Sequence, residues 1–145
     1  MSRKSFAAAL TAFVLCASHV SAQDASGKIS LELNRATASS DGVCQVVFFA
    51  QNGLDKALSS VTWRLAVFDA SGVFSNLLAL PLGSLPAGKR RVVQYNLPAA
   101  CTDLSEIIVN DLAECEIEGT SEEDASQQCL SDLVVTSRTD IAFGL

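Results

Sequence analysis

The side chains best placed to do chemistry are the five cysteines, at 16, 44, 101, 115 and 129. Thiols can act as nucleophiles, hold metals or form disulfides, and spacing separates these uses. Cys44, Cys101, Cys115 and Cys129 lie 57, 14 and 14 residues apart. No C-x-x-C redox pair is formed, and the spacing matches no zinc module. Nucleophilic catalysis also needs a base to activate the thiol. The sole histidine is His19 and the sole methionine is Met1. Both fall in an N-terminal stretch that reads as an export signal: Arg3-Lys4, an apolar run from Phe6 to Cys16, then the small-residue cleavage site Val20-Ser21-Ala22. An 11-residue apolar run is too short for a bilayer that takes about 20 residues to cross. Leu15 before Cys16 argues against lipidation, and Lys4 in place of a second arginine argues against twin-arginine export. The expectation is a Sec-like signal peptide over 1–22, cleaved after Ala22, and one domain over 23–145.

Cleavage leaves a chain with no histidine, no methionine and four cysteines. Ser-His-Asp, Cys-His and His–Met copper chemistry are then excluded. Loss of Arg3 and Lys4 leaves eight basic residues against 16 acidic ones, a net charge of −8. That surface repels phosphate backbones and anionic lipid, so neither nucleic acid nor membrane insertion of the mature chain is expected. Four cysteines in an exported chain are read as two disulfides, and the compartment as periplasmic or secreted, of Gram-negative type. No cofactor-binding or metal-binding motif is present.

Three other groups could carry a site. Turn carboxylates (Asp41, Asp55, Asp69, Asp103) could serve a carboxylate-dependent hydrolase or recognise a glycan, but solvated turn acids make poor general acids. The stretch 114–124 gathers six acids in 11 residues, suited to a divalent cation, a basic partner or simply solubility. Lys89-Arg90-Arg91 is the one basic cluster after the leader, at the start of a strand, where it blunts a sheet edge or meets a partner. Phe48 and Phe49 must point to opposite faces of their strand, so Phe49 joins Lys89, Arg90 and Arg91 as a candidate partner contact.

The elements that must hold these residues are strands. Apolar–polar alternation or continuous β-rich runs mark Ile29–Asn34, Val43–Gln51, Val61–Asp69, Val73–Leu80, Val92–Leu97, Glu106–Leu112 and Leu130–Ser137. Turn clusters separate them, and Ser121–Gln128 is the one weak helical candidate. The pattern predicts an all-β, seven-stranded antiparallel sandwich of immunoglobulin type. An up-and-down count puts Cys44 and Cys101 at one end and Cys115 and Cys129 at the other, about 20 Å away at ~3.3 Å per residue. A disulfide tolerates a Cα separation of only about 4.4–6.8 Å. The pairing that fits is Cys44–Cys101 with Cys115–Cys129.

Asn52-Gly53, then Val67-Phe68-Asp69-Ala70-Ser71-Gly72, then Leu85-Pro86-Ala87-Gly88-Lys89 follow a recurring turn grammar. Over roughly residues 45–97 the chain resembles the FxLYD-like group of small bacterial cell-envelope domains. That resemblance implies an immunoglobulin-like fold and no catalytic residues. Phe68 stands where the group often has tyrosine, and the cysteines lie outside the pattern. The functional expectation is a non-catalytic binding or envelope-assembly module with a protein partner, using one sheet face or edge. A glycan-recognising or hydrolytic protein and a purely structural accessory are the alternatives.

Overall fold

The structure is a computed structural model and describes residues 26–145; the signal peptide expected over 1–22 lies outside the described residues. The described chain forms eight strands: β1 (Ile29–Ala38), β2 (Cys44–Asn52), β3 (Leu58–Asp69), β4 (Phe74–Pro81), β5 (Arg90–Leu97), β6 (Leu104–Ile117), β7 (Leu133–Ser137) and β8 (Ala142–Gly144). A short 3-10 turn (Cys101–Asp103) precedes β6, and one helix, α1 (Glu122–Ser131), joins β6 to β7. Two four-stranded sheets result, with orders β5-β2-β1-β7 and β4-β3-β6-β8. The all-β sandwich is as expected. Two details differ: there are eight strands rather than seven, and each sheet carries one parallel pair, β1 with β7 and β6 with β8.

Both corrections come from the last third of the chain. After β6 the chain crosses to the other sheet through α1 instead of turning back in a hairpin. β7 therefore starts at the end where β1 starts and runs alongside it. Ser121 caps α1 by accepting a hydrogen bond from the Asp124 amide at 3.2 Å, and Glu122, Glu123 and Asp124 occupy the positive first turn. Ala125 and Cys129, four residues apart, form its buried face.

The two inner faces make one core. Trp63, Phe48, Leu31, Leu33, Leu65 and Ile107 are among its fully buried side chains. β3 alternates as its sequence does, with Val61, Trp63, Leu65 and Val67 inside. Trp63 has its indole N–H without a partner, a cost of about 1–3 kcal/mol that its packing must exceed.

The cysteines pair as the strand count requires. Cys44–Cys101 spans a Cα separation of 4.6 Å and Cys115–Cys129 one of 6.5 Å. The first joins the start of β2 to the turn after β5. The second joins β6 to α1 at the opposite end. Cys115 sits within β6 and Cys129 within α1, not in connecting loops as the shorter sixth strand implied. Such a pair belongs to an oxidising compartment. Among the described residues no helix is long and apolar enough to cross a membrane.

Candidate functional site

A sandwich has four edge strands, where unpaired amides and carbonyls invite another chain to pair. Here β7 and β8 lie on one side of the sandwich and β4 and β5 on the other. β8 is three residues long, too short to template much. The β4/β5 side carries two edges of eight residues each, roughly 27 Å at ~3.4 Å per residue.

The edge of β5 is guarded. Lys89 and Arg90 are exposed at its start. Arg91 turns the other way, and its Nη1 donates to the Leu82 carbonyl. That bond ties β5 to the connection from β4, so Arg91 serves the fold. Register places Phe49 opposite Val92 and Gln51 opposite Arg90 on the outer face. Phe49 is half-buried, whereas Phe48 is fully buried, as alternation requires. Of the four candidate contacts, Phe49 and Arg90 share a face, Lys89 flanks them, and Arg91 does not.

The edge of β4 has no charged guard; a bulge near Phe74 and Pro81 at its end are its only interruptions. From Val73 to Gly88 the chain carries no charged residue. Val73, Phe74 and Leu77 are 59, 53 and 55% exposed. Phe74 stands against half-buried Phe68 of β3, edge to face with ring centroids 6.3 Å apart. Leu77 lies opposite Ala66, so the outer apolar strip continues inward from the edge. The turn before β4 is held by Asp69, whose Oδ1 accepts from the amides of Ser71 (2.8 Å) and Val73 (3.0 Å). Inside the sheet edge, Asn76 keeps a buried Oδ1 without a partner.

The connection from β4 to β5 is anchored by Asn52. This residue is fully buried. Its Nδ2 donates to the carbonyls of Lys56 and Leu85, both at 2.9 Å, and its Oδ1 accepts from the Leu54 amide at 3.0 Å. Its backbone adds Asn52 N–H to the Lys89 carbonyl (3.0 Å) and the Gly88 amide to the Asn52 carbonyl (2.8 Å). Asn52-Gly53 reads in the sequence as a turn; in the structure the Asn52 side chain is the hub of this end of the molecule. An asparagine closing an apolar run just before two loops is the signal that could have found it.

The acids of 114–124 divide by element. Glu114 and Glu116 point outward from β6 while Cys115 and Ile117 point inward. Glu122, Glu123 and Asp124 complement the helix dipole. A cavity of about 580 Å³ lies between β6 and α1, with Glu114, Glu116, Glu118 and Glu122 in its walls. Like charges without a counter-ion disfavour any anion there. Among the described residues no three histidine, cysteine or carboxylate side chains converge as a metal cage. The turn carboxylates are also dispersed. Asp69 and Asp103 lie at the end bearing Cys44–Cys101, while Asp55 lies in the β2–β3 loop at the far end.

Two ion pairs clamp β1 to the segments beside it. Lys28 Nζ meets Asp132 Oδ1 at 2.9 Å, and Arg138 Nε meets Glu32 Oε2 at 2.9 Å. The Lys28 hydrogen bond holds Asp132 below the usual carboxylate range. Burial pushes Glu32 upward, and hydrogen bonds from Asn34 and Arg138 outweigh it, leaving that carboxyl below its ordinary value. A second cavity, of about 430 Å³, opens beside Arg138 at the end bearing Cys44–Cys101.

No family model matches the chain, and no curated protein matches it. Among solved structures, IrmA from Escherichia coli is similar, with a TM-score of 0.52 at 12% identity over 74% of this chain and 90% of that one. At that identity the likeness speaks to the fold alone.

Proposed function

We propose that the protein is an exported, non-catalytic binding module of the bacterial envelope, and that it holds a partner by adding a strand to β4. The carrying observation is the contrast in charge: β4 is a long edge with two exposed large apolar side chains, Phe74 and Leu77, preceded by exposed Val73, and no charge from Val73 to Gly88. Main-chain hydrogen bonds would supply affinity in such a complex, and alternate side chains would supply selectivity. The occupant is an extended, uncharged segment of another envelope protein. A charged segment gains little there, because the nearest charges on that face, Arg64 opposite Ala79 and its partner Asp111, already pair with each other. This reading moves the contact from Phe49, Lys89, Arg90 and Arg91 around β5 to Phe74 and Leu77 on β4.

Periplasmic location is part of the same reading. Two disulfides support it, as do the signal-like residues 1–22. The strand orders β5-β2-β1 and β4-β3-β6 support an immunoglobulin-type class: they follow the E-B-A and C′-C-F neighbours of such sandwiches, with the final strand replaced by α1, β7 and β8. The turn grammar shared with FxLYD-like domains points the same way.

The test places a photocrosslinking residue at Leu77 in one variant and at Val92 of β5 in another, in cells of the native host. The expected result is an adduct of one defined mass from position 77, lost when Phe74→Lys is added, and none from position 92. Adducts from 92 alone, or from 77 only to a second copy of this chain, would overturn the reading.

A further inference from the structure

The cavity of about 430 Å³ is independent of the β4 edge and lies at the end of the sandwich bearing Cys44–Cys101. Its size falls within the ~300–1,000 Å³ of small-molecule sites. Three segments wall it: β1 around its bulge at Asn34, the 3-10 turn after Cys101, and the β7–β8 connection. Each is fixed. The disulfide holds Cys101, and the Arg138 amide donates to the Leu33 carbonyl at 2.9 Å. Ser137 Oγ donates to the Ile141 carbonyl at 2.7 Å. A cleft whose three walls are tied before a ligand arrives loses little entropy on binding.

Its charge is less negative than that of the molecule. Arg35, Arg138 and Asp140 line it and Glu32 pairs with Arg138, a formal balance of zero in a chain of net charge −6. Arg35 is exposed and, among the described residues, makes no ion pair. Arg138 gives only its Nε to Glu32, which leaves its terminal amino groups. Guanidinium forks match a carboxylate in bidentate geometry. Asp140, the Asn34 side-chain carbonyl oxygen and the Thr102 hydroxyl oxygen, whose proton goes to Asp103, supply acceptors for hydroxyl groups. Leu104 and Ile141, both nearly buried, give the floor an apolar surface. Asp140 would repel a doubly charged phosphate at the same place.

We propose that this cleft binds a small hydroxylated monocarboxylate, a sugar acid of the uronate type, with Arg35 and Arg138 on the carboxylate and Asp140 on a hydroxyl. Such a group arises either as a free acid or as a residue of an acidic polysaccharide.

The test follows backbone amide resonances of the full exported protein during titration with D-galacturonate, D-galactose, inorganic phosphate and trigalacturonate. Galacturonate is expected to shift the amides of Asn34, Thr102 and Thr139 saturably. Galactose is expected to leave them in place, and phosphate to bind more weakly. Arg35→Gln is expected to weaken galacturonate by about tenfold, the loss of one charge-assisted contact, with distant amides unmoved as proof of folding. Tighter binding of trigalacturonate than of the monomer would identify a polysaccharide source; weaker binding would identify the free acid. Equal response to galactose, equal binding of phosphate, shifts confined to other regions, or an unchanged affinity in Arg35→Gln would each overturn the proposal.

Discussion

Two strands of equal length lie on the same side of the sandwich and are treated oppositely. β5 opens on Lys89-Arg90-Arg91, with two cations in solvent and one bonded to the Leu82 carbonyl. β4 offers Phe74 and Leu77 to solvent, with Val73 just before it and no charged residue from Val73 to Gly88. Val92 of β5 is itself 62% exposed, so the two edges differ in the charge that flanks them and not in apolar exposure alone. A chain that defends one edge and leaves its neighbour bare distinguishes accidental pairing from intended pairing.

The comparison can be broken at its supports. The largest effect is expected from Cys44→Ser with Cys101→Ser. This change opens the longer disulfide loop, worth about 4 kcal/mol on the loop-entropy estimate. Because that bridge ties the start of β2 to the turn after β5, amide exchange should accelerate in β5 before β4. Urea unfolding and exchange together check it. Asn52→Ala removes three side-chain hydrogen bonds and strands the Lys56 and Leu85 carbonyls and the Leu54 amide. The expected loss is about 3 kcal/mol, measured by denaturant unfolding. It should loosen the β4–β5 connection, and with it both edges.

Smaller changes sharpen the comparison. Leu77→Lys should leave stability within about 0.5 kcal/mol, since the side chain is half exposed. It should weaken partner binding by about 2 kcal/mol or more, as expected for a lost apolar anchor beside a new unpaired charge. Denaturant unfolding reads the first number, and titration calorimetry with the free partner identified by crosslinking reads the second. Lys89→Gln with Arg90→Gln should likewise spare stability yet raise self-association through β5, visible as concentration-dependent sedimentation.

The smallest effect is that of pH. Asp132 and Glu32 sit below their ordinary values in the folded chain. The unfolded chain therefore binds more protons through that range, so stability rises with pH there. The contribution is complete above about pH 5 and fades as pH falls through about 4 and below. Each pair should contribute less than about 1 kcal/mol, because Lys28 and Arg138 are largely exposed. Replacing Glu32 with Gln should flatten part of the acid limb in thermal unfolding.

What the sequence made legible was mostly parity. Alternation places Trp63, Leu65 and Val67 inside and splits Phe48 from Phe49. Counting strand directions was enough to pair the cysteines. Neighbour relations were harder, because periodicity says which face a residue takes and not which strand lies beside it. Nothing in Val73–Leu80 marks it as an edge until the sheet order is known. The sequence pattern ends the sixth strand at Leu112 whereas β6 continues to Ile117, because register shifts against β3 between Thr62/Trp63 and Arg64/Leu65 interrupt its alternation. β8 has three residues, below the length at which a pattern can be read. The cleft beside Arg35 was hidden for a similar reason: its walls are 35, 102 and 138, brought together only by the disulfide and the parallel return of β7.

The most direct measurement is amide hydrogen exchange across β4 and β5, with and without the crosslinked partner. Alternate, outward-facing amides of Phe74–Leu80 should slow by at least about tenfold on binding while those of Arg90–Leu97 keep their rates. Protection appearing on β5, or on neither strand, would contradict strand addition to β4.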